Sequence, residues 1–192
     1  MKFLIRSIVY VNILSFLCFD IPGLAAEDSV MALDTEDYFP QVHKTLLEAK
    51  ESIYIVMHIM EIGSGKKNDP TEQLVQDLID AHQRGVKVKV ILDKNLPEVE
   101  EELAEFEKVK NKNDKSYALL KNEGLNVSFD SPETVTMSSL IVIDDYISVL
   151  GSAFWCYASL VENIEASVLI RSKRIAKGNL ELILKVESQS KN

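Results

Sequence analysis

Cysteine is almost missing from this chain, with two in 192 residues. Cys18 lies in an N-terminal apolar stretch, so only Cys156 remains in the body of the sequence. One thiol makes no internal disulfide, and the fold has to be held by its core. Histidine is scarce too, at three, and none stands with Cys, Asp or Glu at a spacing that would ligate a metal. No Gly-rich nucleotide loop, Gly-x-Ser-x-Gly elbow or Cys-His pairing is present, so no metal and no cofactor are expected. Cations vanish altogether between Lys121 and Arg171, a span that carries seven carboxylates: Glu123, Asp130, Glu133, Asp144, Asp145, Glu162 and Glu165. The net charge of −9 opposes nonspecific nucleic-acid binding, which draws its affinity from basic side chains displacing counterions.

What is present begins with a leader. MKFLIR supplies positive charge, SIVYVNILSFLCF a short apolar core, and GLAAE small residues for cleavage after Ala25 or Ala26, the layout of a secretory signal peptide over residues 1–26. The run is short and soon meets Asp20 and Pro22, which argues against a membrane span. Residues ahead of Cys18 lack the small side chain expected before a lipid-modified cysteine. The expected product is secreted or periplasmic, with residues 27–192 as a single domain and 19 basic against 29 acidic residues.

That region alternates helical and strand patterns, predicting an α/β fold with a mixed sheet and helices on both faces. DTEDYFPQVHKTLLEAKES predicts a loop and a first helix with Leu46, Leu47 and Ala49 facing a core. SIYIVMHIM is apolar almost throughout, as a strand covered on both sides is. After the loop IGSGKKNDP, Pro70 opens a helix, Gly85 ends it, and VKVKVILD forms the next strand. PEVEEELAEFEKVKNKNDKSYALLKNEG predicts a solvated helix, its lysines read as i to i+4 partners rather than a binding patch. LNVSFD then predicts a short strand and RIAKGNLELILKV a closing helix weakened at Gly178.

The most informative segment is MSSLIVIDDYISVLGSAFW, Met137 to Trp155. Two apolar strands flank a tight acidic turn, and a Gly-Ser-Ala corner follows. This resembles the catalytic hairpin of the phospholipase D superfamily, where the first strand carries His-x-Lys with Asp after four intervening residues and the corner reads Gly-Ser-x-Asn. Here Met137 holds the His place, Ser139 the Lys place and Phe154 the Asn place, while Asp144, Gly151 and Ser152 remain. The strand–helix–strand unit SIYIVMHIM to VKVKVILD and the later EASVLI extend the resemblance over residues 34–184. By this resemblance Glu165 is the carboxylate that orients the catalytic His, here without its partner.

The resemblance implies covalent phosphohistidine chemistry on a phosphodiester. Such chemistry needs a nucleophile with an accessible lone pair and fixed positive charge around the phosphoryl group. Met137 is a thioether and Ser139 carries no charge, so no intact catalytic residue remains on the hairpin. Asp144 and Asp145 are also what a tight turn requires, because short acidic side chains tolerate unusual dihedrals. Gly151 suits a backbone angle that other residues resist. His43 and His82 lie on amphipathic helices as surface or interface residues. His58, near the C-terminal end of an apolar strand where α/β sheets gather ligands, is the one candidate substitute nucleophile.

Two functions follow as expectations. One is a phospholipase D-like protein without catalysis, acting as a binding or assembly subunit. The rival is an active phosphodiesterase on phospholipid or nucleic-acid diesters, using His58 or a group from a partner. In this family two motifs meet across a two-fold axis, and this chain carries one. The resemblance therefore implies a homodimer, a heterodimer with an intact chain, or a piece of a longer two-motif enzyme, with at most weak binding of a phosphodiester ligand.

Overall fold

The computed structural model describes residues 28–94 and 112–190. The leader and the first part of the solvated helix expected from Pro97 lie outside these residues. Within them, seven strands form one sheet in the order β1-β7-β6-β5-β2-β3-β4. The strands are β1 (Ser29–Leu33), β2 (Ser52–Met57), β3 (Lys87–Leu92), β4 (Asn126–Phe129), β5 (Ser139–Ile143), β6 (Ile147–Gly151) and β7 (Ser167–Arg171). The helices are α1 (Thr35–Glu48), α2 (Pro70–Gln83), α3 (Asp114–Asn122) and α4 (Lys173–Gln189), with a π-helical turn at Ala158–Glu162. β2, β3 and β4 run parallel, whereas β5, β6, β7 and β1 pair antiparallel, so the sheet is mixed, as expected.

Alternation along the strands feeds two cores. Ile53, Ile55, Met57, Val88, Val90, Leu92, Ile141 and Ile143 join Tyr38, Val42, Leu46, Leu74, Leu78 and Leu120 of α1, α2 and α3 on one face. Tyr54, Val56, Ile91, Leu140 and Val142 meet Ala176 and Ile183 of α4 on the other. β2 is buried at every position because it lies mid-sheet with helices on both sides. On the α4 face Lys89 reaches Glu187 at 2.6 Å, which lets a strand lysine point toward a helix without losing its charge partner.

Local signals set the helix ends. Asp34 accepts from the amides of Glu36 and Asp37 to cap α1, and Asp69 accepts from Thr71 to cap α2 with Pro70 in its first turn, as N-cap chemistry favours. One expectation needs correction. Leu46 and Ala49 are buried but Leu47 is exposed, since it falls between the residues that face the sheet. β1 lies ahead of the first element expected from the sequence: four of its five residues are exposed, so no alternation marks it, and only pairing with β7 makes it a strand.

Candidate functional site

One end of the sheet collects the residues that carry chemistry. The pairings Met57↔Ser139, Leu140↔Leu150, Gly151↔Ser167 and Leu33↔Ser167 bring together the C-terminal ends of β2 and β6 and the starts of β5 and β7. His58, Met137, Ser139, Ser152, Phe154 and Glu165 therefore share this end. Asp144 does not: it lies at the opposite end, in the turn between β5 and β6.

Asp144 has φ 51° and Asp145 φ 50°, the left-handed region that short acidic residues tolerate. The Asp144 carboxylate accepts from the amides of Lys50, Glu51 and Ser52 at 2.8–3.2 Å. It ties the hairpin turn to the start of β2, at the opposite end of the sheet from His58 and Ser139. Gly151 is needed for space rather than for angle: a Cβ there would lie 2.4 Å from the Ser167 Cα, and its φ is not in the left-handed range.

The two residues that the resemblance sets at the nucleophile and clamp places, Met137 and Ser139, differ in their surroundings. Met137 lies ahead of β5 and is 70% exposed, so it does not share a strand face with Ser139 as a two-residue spacing would have it. Ser139 is buried; its hydroxyl donates to the Ala153 carbonyl at 2.5 Å and hydrogen-bonds the Tyr38 phenol. Trp155, fully buried, donates from Nε1 to the same phenol at 3.2 Å. Burial pushes the Tyr38 phenol upward against the opposing bonds from Trp155 and Ser139. This apolar-walled line of hydroxyl and indole fills the space beside Ser139.

Glu165, expected to lack a His partner, is held by other groups. Ser152 and Ser159 donate to its two carboxylate oxygens at 2.5 and 2.6 Å, and Asn163 donates at 3.2 Å. Its own amide donates to Thr35 Oγ1. Burial opposes ionisation, but the hydrogen bonds from Ser152, Ser159 and Asn163 outweigh it and hold the carboxyl below its ordinary value. The carboxylate now braces the π-helical turn against the corner after β6. That turn left no period in the sequence to find it by.

His58 follows β2 and is 5% exposed. Its amide donates to Ser138 O, and Asn113 Nδ2 donates to its carbonyl. Nδ1 lies 2.6 Å from Asp93 Oδ2, both groups buried. Asp93 also hydrogen-bonds Asp130. Burial raises the Asp130 carboxyl; Thr136 and the Lys94 amide oppose this, and the charge of Asp93 adds to it. The Phe154 ring packs on His58 at 5.2 Å between centroids, tilted 57°. Sequence reasoning found His58 but not Asp93, Asp130 or Asn113, which come from the ends of other strands and a helix cap.

The charge here also differs from the sequence expectation. Cations absent from residues 122–170 arrive from elsewhere: Lys66 Nζ lies 5.3 Å over the Tyr157 ring, and Lys112 pairs with Glu61 at 3.1 Å. Glu61 is joined through its amide to Trp155 O, so both lysines border the corner after β6. Among the described residues no group of three or more His, Cys, Asp or Glu is placed to hold a metal, and no helix is long and apolar enough to cross a membrane.

The sheet order, the hairpin and this crowded strand end define a phospholipase D-like α/β domain. The family described as cardiolipin synthase, PLD-like domain, matches residues 42–185, and the chain belongs to the phospholipase D superfamily. Among solved structures it is similar to Nuc from Salmonella typhimurium, a phospholipase D family member, at 20% identity and TM-score 0.68, covering 85% of this chain and 96% of that one. NucT from Helicobacter pylori is similar at 15% identity and TM-score 0.63, with 85% and 98% covered. Phosphatidylserine synthase from Haemophilus influenzae Rd KW20 shares the fold at 11% identity and TM-score 0.60, over 87% of this chain and 40% of that. No match was found among curated proteins.

Proposed function

We propose that this chain is an exported phospholipase D-like domain that does not catalyse phosphoryl transfer on its hairpin and serves as a binding or assembly subunit. The observation that carries this reading is Ser139, whose hydroxyl is spent on Ala153 O and Tyr38. A buried serine there leaves neither a cation nor the room for one. Met137 at the His place offers no lone pair able to hold a phosphoryl group, and Phe154 at the Asn place offers no donor. A second copy, or an intact phospholipase D-like chain, is the proposed partner. A mixed pair could place intact groups opposite these.

The test is turnover of a bis-aryl phosphodiester by residues 27–192, alone and after mixing with an intact relative. No turnover alone is expected, together with a stable complex by sedimentation. Turnover by the isolated chain would overturn the reading. The active alternative keeps one observation in its favour, the 2.6 Å approach of Asp93 to His58, and loss of diester turnover in His58→Ala would establish it.

A further inference from the structure

We infer that the outer edge of β1 is a self-association surface, where a second copy of this chain pairs its own β1 antiparallel and continues the sheet across a two-fold axis. β1 and β4 end the sheet, and each presents backbone amides and carbonyls that no other described strand pairs. Proteins guard such edges with short strands, lysines, prolines or a covering helix. β4 is guarded. It has four residues, Tyr117 of α3 stacks on its Phe129 at 4.4 Å, and Lys94 lies over the same ring at 5.5 Å. β1 reads SVMAL, without lysine or proline, and four of its five residues are exposed. Its register against β7 runs unbroken from Ser29↔Arg171 to Leu33↔Ser167, so the edge is regular as well as bare.

The side chains select a second copy as the occupant. Leu33 and Leu169 belong to the core under α1, and side chains alternate between faces, so Ser29, Met31 and Leu33 lie on the α1 face with Arg171 beside Ser29. Val30 and Ala32 lie on the α4 face. An antiparallel pair of β1 strands centred on Met31 sets the two Met31 side chains against each other, Val30 against Ala32, and Ser29 against Leu33. The central contacts are apolar, and they cover Val30 and Met31, which are 69% and 41% exposed. The ends match in charge. Asp34, Glu36 and Asp37 follow Leu33, whereas Arg171 stands at the Ser29 end with Lys173 and Arg174 after it and Asp28 offsetting one of the three. Among the described residues Arg171 forms no ion pair. Antiparallel pairing brings the acidic end of each copy to the basic end of the other, twice over by symmetry. Parallel pairing sets like ends together.

The pairing runs along the strand edge and leaves the hairpin motif uncovered; it deepens the proposed assembly role and rests on that reading only for the expectation that the chain assembles. Residues 27–192 are followed by sedimentation equilibrium over a concentration series, with backbone amide exchange in parallel. A five-residue edge makes a small interface, so a reversible dimer with a dissociation constant on the order of tens of micromolar is expected. Exchange at Val30, Met31 and Ala32 should slow as concentration rises. Met31→Lys, at an exposed position, keeps the Tm and sets two cations face to face at the axis, so dimerisation weakens by about tenfold or more. Met31→Glu does the same, and mixing the two variants restores pairing because the central contact then joins opposite charges. Ile164→Lys alters a fully exposed residue beside Glu165, at the end that carries the motif, and is expected to change nothing. A monomer at every concentration would overturn the inference and leave the edge to a different polypeptide. Dimerisation untouched by Met31→Lys, a mixture that fails to recover it, or its loss in Ile164→Lys would overturn it too, the last by assigning the contact to the motif end. Diester turnover is read separately, so the absence of catalysis stands or falls on its own assay.

Discussion

Replacing Asp144 by alanine removes an acceptor that three backbone amides share and puts a side chain without local hydrogen bonding at φ 51°. The expected loss is about 2–4 kcal/mol by urea unfolding, with Asp144→Asn costing roughly half, since asparagine tolerates the same angle and keeps one acceptor. Equal costs for the two would show that the carboxylate charge and not the angle matters. Gly151→Ala drives a methyl group against the Ser167 backbone and is expected to cost about 1–3 kcal/mol. Two carboxyls make opposite pH signatures. Glu165 is depressed in the fold, so its stabilisation is present above the ordinary glutamate range and is lost as pH falls through the folded value; Glu165→Gln should flatten the acid limb of a Tm-against-pH curve. Asp130 is raised, so stability falls as pH rises from its unfolded toward its folded value, and Asp130→Asn should remove that slope. An unaltered curve in either variant would contradict the assigned cause.

At the scale of elements, the hairpin was legible because apolar strands bracket two acidic residues that a left-handed turn accepts. What the sequence could not convey was the packing of α1 on the start of β5. Tyr38 reaches Ser139 and Trp155 from that helix, so a lysine at position 139 would enter a filled, apolar-walled space. Met137→His with Ser139→Lys and Phe154→Asn is therefore expected to lose roughly 3–5 kcal/mol from the buried, unpaired charge and to show no diester turnover, whereas Met137→His with Phe154→Asn should fold normally. A triple variant with wild-type Tm and measurable turnover would mean that the lysine finds an exit that the Ser139 contacts do not reveal. β1 is the converse case: its exposed side chains hide it in the sequence, and its pairing with β7 supplies the edge that the pattern lacks.

For the whole molecule, two helix-covered sheet faces provide the core, and among the described residues no metal cluster or disulfide supplements it. Tm should not move with chelator or with reductant, and Cys156→Ser should lower it only modestly, because the thiol is buried and close in size to a hydroxyl. A large shift with either reagent would point to a metal or a covalent partner. The sequence by itself determined the class of fold, through apolar periods of two and of 3.6 residues, and the family, through the hairpin frame from Met137 to Trp155. It also determined that position 139 carries no charge, since residue type alone decides that. Only the tertiary structure decided which acids meet which partners: Glu165 with Ser152, Ser159 and Asn163, Asp144 with the start of β2, and His58 with Asp93. Those contacts join residues from separate strands and turns, and their energies depend on distance and burial, which strand register and helix packing set and local sequence does not encode.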